Sequence, residues 1–277
     1  FGVGTTTNSA GRIGGYGPAY VSCTEEYNGI TWQYGDSSPQ LMAITQNAGV
    51  PNAATIAGGY AGSECDAAFK YKKEYISPYT ACVWTKGPAL DEPRVTPAGA
   101  GTQNAALAFG GYNPSPRSCT EEYNGTSWSV ENTLNTARGT LAGAGTQNAA
   151  LAIGGFASPA QLSATEEYNG TSWSPGGSLI TTRDQLGGAG TQNAGLAFGG
   201  DDPPATSVSE EYNGSSWSSG GAMPTAGHNF PMGVGTQGAA FALPGVRPAG
   251  NSTQTEKYDG TTWAAAEATG TPRSGRL

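Results

Sequence analysis

The six tryptophans of this chain, Trp32, Trp84, Trp128, Trp173, Trp217 and Trp263, are spaced by 52, 44, 45, 44 and 46 residues. A near-constant period of roughly 20–50 residues marks one supersecondary unit copied along a chain, each copy too small to bury its apolar face alone. Each Trp follows a Tyr by five residues: Tyr27, Tyr79, Tyr123, Tyr168, Tyr212 and Tyr258. In five copies an Asn-Gly or Asp-Gly pair lies between them, at Asn28-Gly29, Asn124-Gly125, Asn169-Gly170, Asn213-Gly214 and Asp259-Gly260. Such pairs accept the positive φ angles of a type I′ turn, so Tyr and Trp are expected on consecutive strands of a tight hairpin.

A second hairpin is expected 18 residues after the Trp, at the Thr-Gln-Asn of 102–104, 146–148 and 191–193. It leads into a short apolar strand ending in a glycine pair, such as Gly110-Gly111, Gly154-Gly155 or Gly199-Gly200. Each unit thus reads as four short strands. Gly and Pro, 44 and 18 of 277 residues, interrupt every window long enough to show a helical period, so the chain reads as all-β. The first strand of each unit is rich in Gly and Ala, as expected where strands converge on an axis and large side chains have no room. The Trp and Tyr rings come later in the unit, where they are expected to fill the gaps between neighbouring sheets.

The order of apolar strand, Gly-Gly, spacer, Glu-x-Tyr-(Asn/Asp)-x-x-x-Trp and then Arg resembles the kelch repeat. The Arg positions are Arg94, Arg138, Arg183 and Arg273, while Gln46 and Gly227-His228 occupy the other two slots. The resemblance covers essentially the whole chain. It implies a single domain over residues 1–277, a six-bladed β-propeller with four antiparallel strands per blade. Thr271-Pro272-Arg273 and Phe1-Gly2-Val3-Gly4 read as two parts of one blade, so the terminal segments are expected to close the ring. A departure from the family is the dominance of Gly, Ala, Ser and Thr where many kelch proteins carry larger aliphatics.

Composition narrows the function. Net charge is −8 and charged residues are 12%, which disfavours a nucleic-acid binder, since that needs a basic face for phosphates. No apolar run reaches the about 18 residues of a membrane-spanning helix. One histidine, His228, is the whole stock, which leaves no basis for Ser-His-Asp catalysis or for the two His ligands of kelch-like copper oxidases. Tyr258 to Trp263 is faintly similar to a sialidase Asp box, but the other five copies lack that Asp. The expectation is a protein without enzyme activity, metal or other cofactor. The pairs Glu25-Glu26, Glu121-Glu122, Glu166-Glu167 and Glu210-Glu211 recur once per unit, as a structural element does and a catalytic pair does not. The first Glu of each pair is expected to meet the repeat Arg or a backbone amide; a calcium ion on such carboxylates is the alternative. Cys65 and Cys82 flank an enlarged spacer in the second unit and are read either as a disulfide or as two thiols.

Ligand contacts are expected in the connections between second and third strands, where the copies diverge while the Thr-Gln-Asn and Asn-Gly turns stay short and nearly uniform. Residues singled out there are Tyr60, Phe69, Lys70, Tyr71, Lys72 and Lys73 in the enlarged spacer, then Arg117, Asp201, Asp202 and Arg247. Arrays reading Thr-Glu-Glu-Tyr-Asn-Gly-Thr-Ser-Trp with Gly-Thr-Gln-Asn-Ala hairpins look similar to kelch-like repeats of bacteriophage tail fibres and virion surfaces. That resemblance implies an extracellular or virion-surface module that contacts other virion proteins or a host-surface glycan or protein. Homo-oligomerisation through a parent fibre would fit the same reading. A secreted bacterial lectin or adhesin is the alternative, and a propeller glycosidase or sialidase a more distant one.

Overall fold

Repeated burial of the same positions organises the molecule. In this computed structural model, backbone and side chains are described for residues 85–201, 206–225, 231–244 and 253–268. The backbone alone is described for the strand residues 2–6, 9–16, 20–27, 32–35, 46–50, 53–57, 68–76, 79–84, 246–247 and 250–251. Among the described residues there is no helix, and the strands pair into four-stranded antiparallel sheets, an architecture compatible with a β-propeller. Sheet 1 comprises Gly2–Thr6, Ser9–Tyr16, Tyr20–Tyr27 and Trp32–Gly35, and sheet 2 comprises Gln46–Val50, Ala53–Ala57, Ala68–Ile76 and Tyr79–Gly87. Sheet 3 follows with Ala98–Thr102, Ala105–Phe109, Thr120–Tyr123 and Trp128–Glu131. Sheet 4 is Ala142–Thr146, Ala149–Ile153, Thr165–Tyr168 and Trp173–Pro175; sheet 5 is Gly187–Thr191, Ala194–Phe198, Ser209–Tyr212 and Trp217–Ser219. Sheet 6 is Met232–Thr236, Ala239–Leu243, Glu256–Tyr258 and Trp263–Ala265. In every sheet the strands lie in chain order.

The core lies between sheets. Second strands such as Ala149–Ile153 are buried along nearly their whole length, whereas fourth strands bury only the Trp. One cluster joins Phe109 and Leu107 of sheet 3 to Tyr168 and Trp173 of sheet 4. The Phe109 and Trp173 rings lie 4.8 Å apart, and Phe198 and Trp263 repeat the contact at 5.0 Å. The rings therefore fill the gaps between sheets, as their period predicts. The first strands meet through glycine: a Cβ on Gly143 would strike the Gly99 carbonyl, and one on Gly188 would lie 2.8 Å from the Gly143 carbonyl. Close backbone approach explains the small-residue composition of these strands.

Two expectations need correction. The Asn-Gly turn is not type I′. Tyr123 pairs with Trp128, so four residues form the loop, and of these Gly125 alone has positive φ. Asn124 instead accepts the Thr126 and Ser127 amides at 2.9 and 3.0 Å, an Asx turn that Asn169, Asn213 and Asp259 repeat. The second correction concerns sheet 2. Trp84 pairs with Tyr71, not Tyr79, and Phe69, Lys70, Tyr71, Lys72 and Lys73 lie inside the strand Ala68–Ile76. The extra length of this unit lengthens the hairpin between third and fourth strands, where Ile76 pairs with Tyr79 across two residues. Alternation of aromatic and Lys at 69–73, followed by Ser77-Pro78, is a strand and turn signal that outweighs the five-residue Tyr-Trp spacing.

Candidate functional site

Strand order gives the array two unlike faces. On one lie the Thr-Gln-Asn and Asn-Gly turns. There Gln147 Nε2 donates to the Ala106 and Tyr123 carbonyls of the preceding sheet at 3.1 and 2.8 Å. Gln192 does the same to Ala150 and Tyr168, and Gln237 to Gly195 and Tyr212. This face is committed to joining sheets.

The other face carries the crossovers between sheets and the connections between second and third strands. Among the described residues, three crossovers are fastened by a buried ion pair: Arg94 with Glu121 at 2.8 Å, Arg138 with Glu166, and Arg183 with Glu210 at 3.0 Å. The same carboxylates accept crossover amides, as Glu166 does from Asn135 at 2.7 Å and Thr136 at 3.2 Å. Arg138 also reaches the Gly154 and Ala164 carbonyls at 3.1 and 2.8 Å. Burial pushes the Glu121 carboxyl up against the opposing pull of Arg94, and lowers the Arg138 guanidinium against Glu166. The pairing expected for the first Glu is present in these three sheets, where each carboxylate is held by the Arg and by a crossover amide. The second Glu turns the opposite way and accepts a phenol of the next sheet: Tyr168 to Glu122 at 3.0 Å, Tyr212 to Glu167 at 2.5 Å, Tyr258 to Glu211 at 2.6 Å.

Beyond these fasteners, the second face holds a cavity of about 540 Å³ at the seam of sheets 4 and 5. Its wall is made by Phe156, Gln161, Thr182, Asp184, Gln185 and Asp201, completed by Pro159 and Ala160. The sequence places these residues by simple means. A short antiparallel ribbon, Phe156–Ala157 with Ala160–Gln161, sets Phe156 opposite Gln161. Asp184 bridges to Asp201 through backbone bonds in both directions, 3.2 and 2.8 Å, which carries the crossover beside the exit of the next second strand. Gln185 has φ of +54°, in register with Thr96 and Thr140 at +51° and +52°. This backbone strain at three equivalent crossovers turns the chain beneath the cavity face.

Asp184 is 6% exposed. Its Oδ1 accepts from Gln161 Nε2 at 3.1 Å and its Oδ2 from the Thr140 hydroxyl at 2.9 Å. Gln161 Nε2 donates as well to the Asp201 carbonyl at 2.9 Å, so the amide orientation is set. Unlike Glu121, Glu166 and Glu210, Asp184 forms no ion pair among the described residues.

Of the residues singled out from sequence, Asp201 lies in the cavity wall. Arg117 is on the same face but pairs with half-exposed Glu92, whose carboxyl is lowered first by that hydrogen bond. Phe69 to Lys73 belong to a strand, and Arg247 to the ribbon Val246–Arg247 with Gly250–Asn251. Tyr60, Cys65, Asp202, His228 and Arg273 lie outside the described residues, as do the side chains of Cys82 and Tyr79. Cys119 is a free, half-buried thiol that burial pushes up. No group of three or more potential metal ligands occurs among the described residues. The sequence reading passed over Asp184, although Val95 and Gly139 hold its place in the neighbouring copies and an acid there departs from the repeat. Comparison with protein-family models finds no match to this chain, and comparison with curated proteins finds none either.

Proposed function

We propose that the chain is a six-bladed kelch-type propeller that acts as a non-enzymatic binding module on a virion surface or tail fibre, engaging a glycan or protein of a host surface. Support for the ring comes from the first strands, each beside the next from sheet 1 to sheet 6, with those of sheets 6 and 1 also adjacent. On this reading residues 1–277 form one domain, closed where its terminal segments meet.

The observation that carries the binding reading is the contrast between faces. Gln147, Gln192 and Gln237 repeat the same two bonds on one face. The other carries connections of different sequence and frames the cavity. Repeat arrays place variation where ligands bind, because the scaffold tolerates change there.

Labelled chain added to bacterial cells should bind, and exchanging residues 156–161 for the sequence of 112–117 should weaken that binding. Exchange of the Asn-Gly turn residues between copies should leave it intact. Binding insensitive to every exchange among the second-to-third connections would overturn the assignment of faces. Immunogold electron microscopy should label a virion shell or fibre; label confined to a secreted fraction would instead favour a lectin or adhesin.

A further inference from the structure

We infer that Asn124, Asn169 and Asn213 are sites of spontaneous deamidation, a reaction that the folded turn slows and whose aspartate product it accepts in place. Each of these residues is exposed and is followed by glycine, the neighbour whose lack of a Cβ least obstructs attack by its own nitrogen on the Asn side chain. The sixth unit shows what the turn does with an acid. Asp259 stands where the other units carry Asn, and its Oδ1 accepts the Thr261 and Thr262 amides at 2.9 and 2.7 Å. Asn169 Oδ1 accepts the Thr171 and Ser172 amides at 2.9 Å each, and Asn213 Oδ1 those of Ser215 and Ser216 at 3.0 and 2.9 Å. In all four turns the first residue's amide donates to the carbonyl three residues on at 3.2 Å. The four glycines share one conformation too, with φ of +93°, +87°, +89° and +90°. Amide and carboxylate fit one geometry because the turn uses only the acceptor capacity of Oδ1. The Thr262 amide, and after it that of Thr261, hold the Asp259 carboxyl below the usual range, so the turn favours the charged product.

The chemistry needs only water. The glycine nitrogen gives up its proton and bonds to Asn Cγ, the Cγ–Nδ2 bond breaks, and ammonia leaves with that proton. Water then opens the cyclic imide. Attack at Cγ breaks the new bond and yields Asp on an unchanged backbone. Attack at the main-chain carbonyl carbon breaks the original peptide bond and yields an isoaspartyl link, which runs the chain through Cβ. The first product can make every bond that Asp259 makes. The second adds an atom to the backbone of a four-residue loop whose ends are fixed, as Tyr168 is to Trp173, and moves the carboxylate off the side-chain position. Folding also governs the rate. Oδ1 is fastened to amides two and three residues on, so bringing Cγ onto the intervening glycine nitrogen first opens those bonds. Each conversion adds a negative charge to a chain already at −8.

The test ages the full chain in mildly alkaline buffer, folded and in urea, and reads the three sites by peptide mass spectrometry that separates aspartyl from isoaspartyl products. In urea all three should convert, with both products present. In the folded chain each should convert at least about tenfold more slowly, since two hydrogen bonds must open first. After return from urea, aspartyl chains should refold, and isoaspartyl chains should be depleted from the folded fraction on size-exclusion chromatography. Asn169→Asp should keep the parent's melting temperature, while Asn169→Ala, which has no acceptor, should lower it. Equal rates in the folded and unfolded chain would overturn the protection. A melting temperature of Asn169→Asp as low as that of Asn169→Ala would overturn the acceptance of the acid, and no conversion in urea would remove the sites.

Discussion

Glu166 and Glu167 are neighbours in sequence, yet they serve different joints because adjacent side chains leave opposite faces of a strand. Glu166 gathers Arg138 and the crossover amides, while Glu167 accepts the Tyr212 phenol of the next sheet. The two should respond differently to mutation. Arg138→Ala leaves a buried carboxylate without its cation and should cost about 3–5 kcal/mol. Tyr212→Phe removes one hydrogen bond to a charged group and should cost about 1.5–3 kcal/mol. Urea unfolding of both variants measures the difference; equal costs would show that the buried pair is not special. Tyr258 carries a pH signature. Burial, then its bond to Glu211, push its phenol from 10.0 up to about 12. The folded state therefore holds that proton more tightly than the unfolded chain does. The associated stability is complete below pH 10 and is lost as pH rises through about 12. Alkaline unfolding followed optically should be shallower over that window in Tyr258→Phe than in the parent.

At the scale of the strand, glycine has two different meanings here. In the first strand of sheet 4, Gly143 marks the place where one backbone passes another, since a Cβ there would meet the Gly99 carbonyl and the Phe109 ring. Gly238, in the turn of sheet 6, has nothing within 4 Å of an added Cβ and no left-handed φ. Gly143→Ala should therefore destabilise by several degrees in melting temperature. Gly238→Ala should be neutral or stabilise by about 0.4–1 kcal/mol through the unfolded chain. Differential scanning calorimetry of the pair reads both signs at once. The enlarged second unit belongs to this scale too. Its five-residue Tyr-Trp spacing is an accident of sequence, whereas the alternation at Phe69 to Lys73 is the physical requirement of a strand with two unlike faces.

At the scale of the whole molecule, adjacent sheets share side chains rather than merely touching. Between sheets 4 and 5 alone lie the Gln192 bonds, the Tyr212–Glu167 bond and Trp217 Nε1 donating to Thr165 Oγ1 at 2.9 Å. Sheets 3 and 4 repeat the set through Gln147, Tyr168 and Trp173. A sheet that leaves strips its neighbour of a Trp cover and of caps on strand carbonyls. Unfolding should consequently be one cooperative transition, with tryptophan fluorescence and far-ultraviolet circular dichroism giving the same midpoint. Separate midpoints would mean that the sheets unfold as independent units.

The repeat period, the all-β class, the ring-filling role of Trp and the Arg–Glu partnership were all legible in the sequence. Each depends on local alternation or on recurrence, which survive in a linear string. The capping glutamines were not legible, because Thr-Gln-Asn has the composition of an ordinary turn and its partners lie 24 or more residues away in another sheet. Nor was the cavity. Phe156, Gln161, Asp184 and Asp201 come from one connection, a crossover and the exit of the following strand. Composition shows that such residues exist; only the packing of one sheet on the next brings them to a common wall, because their proximity is set by backbone pairing between distant segments.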